Sequence, residues 1–229
     1  MADSSRSVAL MALPVMDGPD DKPLCLYQDC ISGESLLPKA VAAGSGVRLL
    51  FLDVDGVLNQ RAFTSTADDD SGMLSAECMA YLGAVLEADG FVVLSSTWRS
   101  DRELRNVVVS QLERLKPGCV VGQTPQDPSF RNDMRPQEIA AFLSFSEVAA
   151  SVVTWCAVDD MDLLRQAAAL AKRCKALRQI LPEFQQRFVK TDKHVGLDAS
   201  GATAILRVLG SPIEVRHNRG SAGGLAGSH

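Results

Sequence analysis

The sequence predicts an α/β fold built on a mainly parallel sheet with helices on both faces. Three observations carry that expectation. Short apolar runs alternate with amphipathic stretches of helical period. The first run, "RLLFLDVDGVLNQ", opens almost without polar interruption, as a strand covered on both faces requires. Three runs end on small or acidic polar residues: Asp53/Asp55, Ser95/Ser96/Thr97 and Asp159/Asp160. Sheets of this kind bind ligands at the carboxyl ends of their strands.

Taken in order, residues 1–46 contain the turn-rich "VMDGPDDKP" and a short apolar "LCLYQDC", and read as an N-terminal extension. Val47–Asp53 is the first strand. Ser75 can cap a helix through Asp89, with Cys78, Leu82, Val85 and Leu86 on one face and Gly90 at its end. "FVVLSS" is the second strand. Ser100 and Glu103 have the spacing of a capping box, opening a helix to about Leu115 that "KPG" stops. "CVV" has the character of a short strand. A helix is expected around Pro136–Phe145, with Ile139, Phe142 and Leu143 inward. "VVTWCAV" is a further strand, ending at Asp159-Asp160. Met161–Ile180 reads as one long helix ending near Pro182, and "RFVKT" as a last short strand. Asp198 or Ser200 starts a helix to Leu209, closed by Gly210. One domain over 47–210 follows, with a Gly/Ser-rich tail without fixed structure over 211–229.

Bulk properties narrow the function classes. Hydrophobic residues are 46% and charged residues 22% of the 229-residue chain, the balance of a soluble globular domain. A net charge of -5 does not advertise a nucleic-acid footprint. The six cysteines form no C-x-x-C pair, which argues for reduced thiols in a cytoplasmic protein and against a disulfide frame or zinc site. The start carries Asp3 and lacks a basic segment followed by an apolar core, so no signal peptide is expected. No apolar stretch is long enough to span a membrane. The glycines Gly44 and Gly46 precede the first strand, so the dinucleotide-binding fingerprint, which follows a strand, is not met.

The strand ends carry the chemistry. Asp53 and Asp55 flank the end of a rigid strand, and Gly56 lets the chain turn at once. Two acids so placed can divide labour, one as nucleophile or metal ligand and one as proton shuttle. Like charges this close need a cation or a shared proton. A calcium loop would place its glycine later, so "DVDG" does not fit one. Asp159 and Asp160 can complete an oxygen-ligand set for Mg²⁺ with Asp53, although an Asp-Asp pair before a helix also suits a cap. Ser95 and Ser96 can hydrogen-bond a phosphoryl oxygen without filling a pocket, and Arg99 is within reach of an anion there. With three histidines, two of them in the tail, a histidine metal site is not expected.

These motifs together resemble the haloacid dehalogenase (HAD) superfamily: "FLDVDGVLN" its first motif, "VVLSS" its second and "WCAVDD" its fourth. "DVDGVLN", "LSSTWR", "RPQEIAAFL", "AVDD" and "VKTDKHVGLD" are most similar to the HAD domain of RNA-repair-type (Swiss Army Knife) proteins. The resemblance implies a three-layer Rossmannoid fold and a Mg²⁺-dependent phosphatase. In it Asp53 is the nucleophile, forming an aspartyl-phosphate, and Asp55 the acid–base group. Ser95 binds the phosphoryl group. Mg²⁺ is held by the Asp53 side chain, the Asp55 carbonyl and Asp159, with Asp160 in support. The family's third-motif cation is usually lysine. Between Ser95 and Asp159 this chain offers only Lys116, beside a helix-breaking Pro-Gly. Arg135, at the start of the "RPQEIAAFL" helix, fits the subgroup better, followed by Arg99 and Arg131. Lys193 and His194 either line the substrate entrance or sit in a solvent loop.

The segment "LNQRAFTSTADDDSGMLS" leaves room for a flap but not for a cap domain, so a minimal cap is expected. An open pocket suits a phosphorylated small molecule or a nucleic-acid end as substrate, although the acidic "TADDD" argues mildly against a strand lying across it. A HAD-fold binding module that has lost turnover is the competing expectation.

Overall fold

The structure, a computed structural model, describes residues 46–60, 73–88, 90–125, 134–145 and 152–210. The extension (Gly46 apart), the tail, Arg131, Asp89, Cys25, Cys30 and most of the expected flap lie outside the described residues. Five parallel strands form one sheet: β1 (Val47–Leu52), β2 (Gly90–Leu94), β3 (Val120–Gln123), β4 (Val152–Asp159) and β5 (Phe188–Lys190), in the order β3-β2-β1-β4-β5. The helices are α1 (Ala76–Glu87), α2 (Arg102–Leu115), α3 (Arg135–Phe145), α4 (Leu163–Leu170), α5 (Lys175–Gln186) and α6 (Ala199–Val208). A 3-10 turn, Thr97–Ser100, links β2 to α2.

Alternation along the strands divides the core into two layers. Leu50 and Leu52 of β1, with Val92, Leu94, Cys156 and Val158, pack against α1, α2 and α6. Leu49 and Phe51, with Val93, Trp155 and Ala157, pack against α3, α4 and α5. On the second face Phe51 meets Phe142 and Trp155 edge-on, at 5.4 and 6.0 Å between ring centroids. Such pairs add about 0.5–1.5 kcal/mol each beyond area burial. They also fix α3 over the end of β1, which matters because α3 carries Arg135 at its first position.

Four local expectations are corrected. Gly90 is the first residue of β2, and α1 ends earlier, at Glu87. The cap of α2 is Asp101, whose carboxylate accepts from the Glu103 and Leu104 amides, while Ser100 closes the 3-10 turn. The stretch Met161–Ile180 is two helices. It breaks after Leu170, and the Cys174 thiol caps α5 by accepting from the Leu177 amide. Pro182 does not end that helix but lies inside it. Proline removes a donor to the carbonyl four residues back. That carbonyl belongs to Arg178, and both residues are exposed, so water can take the lost place. The last helix is capped by Asp198, the first of its two candidates.

Among the described residues no helix is long and apolar enough to cross a membrane. Four cysteines are free there, with Cys78, Cys119 and Cys156 buried. Burial pushes the Cys119 thiol up to about 12 and raises Cys156 as well, so both stay protonated and inert.

Candidate active site

The parallel ladder runs one residue past the strands and so places the site side chains. Asp53 donates its amide to Val158 at 3.1 Å, Ser95 to Leu52 at 2.8 Å, and Thr191 to Asp159 at 3.0 Å. The acids and serines at these ends are therefore mounted on the sheet itself. Beyond Asp53 the chain folds back, with the amides of Val57, Leu58 and Asn59 converging on the Val54 carbonyl. Gly56 sits in this turn at φ 75°. A side chain there would be strained, and its Cβ would also lie 2.7 Å from the Asp160 Cβ. Thr191 completes the clamp by donating its hydroxyl to the Gly56 carbonyl at 2.7 Å.

At the centre is a cluster of carboxylates. Asp53, Asp159 and Asp160 each offer an oxygen within 4.8 Å of the others. Asp53 and Asp159 are buried, and Arg135 bridges them: its guanidinium is 2.8 Å from Asp53 and also pairs with Asp159. Burial raises the Asp53 pKa, opposed by Arg135, the Val54 amide and the Ser96 side chain. Burial and then the Asp53 charge push Asp159 up to about 7, again against Arg135 and the Met161 amide. Burial works against the Arg135 charge, but Asp53 and Asp159 overcome it and hold the guanidinium firmly protonated.

Arg99 lies elsewhere in the network. It is buried and donates to the Thr124 carbonyl at 3.1 Å, the Ser96 carbonyl, and Glu138 at 2.6 Å. Burial lowers its pKa and Glu138 counters this. Its donors are committed to holding the end of β2 against α3, so it is left out of the proposed anion-binding set. Lys116 is at the opposite end of the sheet, on the carbonyls of Leu86 and Gly90. Lys193 and His194 are exposed in a turn, with His194 tied by its amide to Asp192. The motif around them packs beneath the Gly56 turn, where Leu197 donates to Val57 at 2.8 Å.

The all-oxygen donor set of Asp53, Asp159 and Asp160 suits a hard divalent cation. The Ser95 hydroxyl is buried and has no partner among the described residues. A buried polar group left this way has room for a bond to an incoming ligand. Asp55, in contrast, is half-buried and held at both oxygens: Trp98 Nε1 donates to Oδ2 at 3.0 Å and Asn59 Nδ2 to Oδ1 at 3.1 Å. The motif-level reading of the sequence had no means to find Trp98, Asn59 or Thr191 as site residues. The only signal was their place inside "LSSTWR", "DVDGVLN" and "VKTDKHVGLD".

No curated protein and no solved structure matches the chain. Residues 49–202, which hold every element from β1 into α6, match the HAD domain in Swiss Army Knife RNA repair proteins. That match covers more than half of the sequence and agrees with the five-stranded parallel sheet, and it brings a hydrolase-type enzyme with it. The chain belongs to the family of HAD domains found in Swiss Army Knife RNA repair proteins.

Proposed function

We propose that this protein is a Mg²⁺-dependent phosphomonoester hydrolase working through an aspartyl-phosphate on Asp53. The observation that carries this reading is the pairing of a buried Asp53, neutralised by Arg135, with a second acid, Asp55, held separately by its own donors. A site that only bound phosphate would not need the second acid. Arg135 also supplies the cation that the missing third-motif lysine would give, which weakens the reading as a binding module without turnover.

In the first step an Asp53 oxygen attacks phosphorus as the bond to the leaving oxygen breaks. Asp55 delivers its proton to that oxygen. In the second step Asp55 takes a proton from water, the water oxygen bonds to phosphorus, and the bond to Asp53 breaks to release inorganic phosphate. Arg135 and Ser95 hold the phosphoryl oxygens, with Ser96 orienting Asp53. Asp53, Asp159 and Asp160 would hold Mg²⁺, with the Asp55 carbonyl as the family pattern implies. When bound, it neutralises charge on the transferring phosphoryl group. The family's description points to phosphorylated RNA ends as substrates, with phosphorylated small molecules as the alternative outcome.

The test is phosphate release from 5′- and 3′-phosphorylated oligoribonucleotides and from sugar phosphates, with Mg²⁺ and with chelator. Chelator-sensitive release is expected, highest on the oligonucleotides. Folded protein inactive on the whole panel would overturn the reading.

A further inference from the structure

We propose that Trp98 is a positioning residue for the proton transfer: its indole N–H holds the Asp55 carboxylate in the orientation that serves the leaving oxygen. This rests on the phosphatase reading and adds to it a residue outside the acidic cluster. The indole Nε1 donates to Asp55 Oδ2 at 3.0 Å across 43 residues of sequence. Asn59 takes the other oxygen. The orientation of its amide is fixed because its own Oδ1 accepts from the Gly56 amide at 3.0 Å. Two donors on two oxygens set the plane of the carboxylate.

Trp98 is itself well anchored. It is 7% exposed and packs in the core layer with Leu94 and Val108. The Ser96 hydroxyl accepts its amide, and its carbonyl accepts from the Asp101 amide, so the 3-10 turn fixes its backbone at both ends. An indole N–H donates only and does not titrate, so it is a fixed donor to Asp55 at any pH. The stretch "SSTW" thus carries the phosphate-facing Ser95 hydroxyl, the Ser96 hydroxyl on Asp53 and the orienting donor together.

The role separates from a structural one by leaving group. Breaking the bond to an alkyl oxygen needs the Asp55 proton, whereas p-nitrophenolate leaves without it. General acid assistance contributes about 10²–10⁴-fold, and part of that depends on placement. Trp98→Phe keeps the bulk of the ring and removes the donor. Its kcat/KM is expected to fall at least about tenfold further on an alkyl phosphate than on p-nitrophenyl phosphate. In an Asp55→Asn background the same change should add no further leaving-group dependence. Should Trp98→Phe fail to fold, benzothienylalanine at position 98 keeps the ring shape and lacks the N–H, and the same split is expected. An equal loss on both substrates would overturn the role of Trp98 and leave the phosphatase reading standing. A folded wild type that hydrolyses neither substrate, nor any phosphorylated oligoribonucleotide, would remove both.

Discussion

At the amino edge of the sheet, the Lys116 ammonium caps the carbonyls of Leu86 and Gly90 at 3.0 and 3.4 Å and lies over the Phe91 ring. Arg187 also lies at this edge, donating to the Thr154 hydroxyl at 2.9 Å and covering Trp155. At the carboxyl edge, Arg135 is buried between two buried carboxylates, Arg99 is buried against Glu138, and a serine hydroxyl has no partner among the described residues. The same strands thus end in opposite ways. Cations at the amino edge satisfy neutral acceptors, the Leu86 and Gly90 carbonyls and the Thr154 hydroxyl, and stay near water. Charges at the carboxyl edge are taken out of water and paired with one another, Arg135 with Asp53 and Asp159 and Arg99 with Glu138.

The sharpest break of this contrast is Asp53→Asn. Turnover should fall by at least about a thousandfold, as expected when a nucleophile is removed. The metal-free variant should nonetheless melt no lower than wild type, because one of two neighbouring buried carboxylates has lost its charge. A melting point well below wild type in chelator would mean that Asp53 is there for stability. Arg135→Met comes next. It leaves Asp53 and Asp159 without their cation, and urea unfolding in chelator above pH 7 should show a loss of about 3 kcal/mol. Glu138→Gln strips the buried Arg99 of its counter-charge and should cost about 2 kcal/mol.

A pH titration sharpens the same point. Asp159 stands near 7 in the folded chain against an ordinary value of 3.8, so between those values the folded state holds a proton that the unfolded state has released. Stability of the metal-free protein therefore falls as pH rises from about 4 to about 7, and Asp159→Asn should flatten that slope. The smallest effect belongs to the amino edge. Lys116→Met should cost under about 1 kcal/mol in urea unfolding and leave kcat/KM as it was. A large loss of activity there would dissolve the distinction between the two edges.

The carboxyl edge was largely legible in the sequence because its acids stand at the ends of apolar runs, where pattern and position coincide. Asp53, Asp55 and Asp159 were singled out that way, whereas Arg135 came only from the resemblance of "RPQEIAAFL". Arg99 shows the limit. It and Arg135 are both arginines just beyond strand ends or at a helix start. Only the fold reveals that Glu138, one turn along α3 from Arg135, faces Arg99 instead. Trp98 was hidden for a related reason: a donor to a carboxylate from another strand leaves no periodic trace and reads as an ordinary core aromatic. The break at Cys174 was missed because neither glycine nor proline marks it, and a thiol is a weak and uncommon cap. Pro182 misled in the other direction, since an exposed helix face can lose one donor to water and continue.

The account turns on covalent chemistry at Asp53, and acid-quenched mass spectrometry of the protein during turnover examines it directly. With p-nitrophenyl phosphate and Mg²⁺, Asp55→Asn should slow the second step and let the intermediate accumulate. The peptide containing Asp53 is then expected to carry the added mass of one phosphoryl group, and Asp53→Asn to carry none. Turnover with no phosphoryl group on that peptide, or with one on any other residue, would contradict the account.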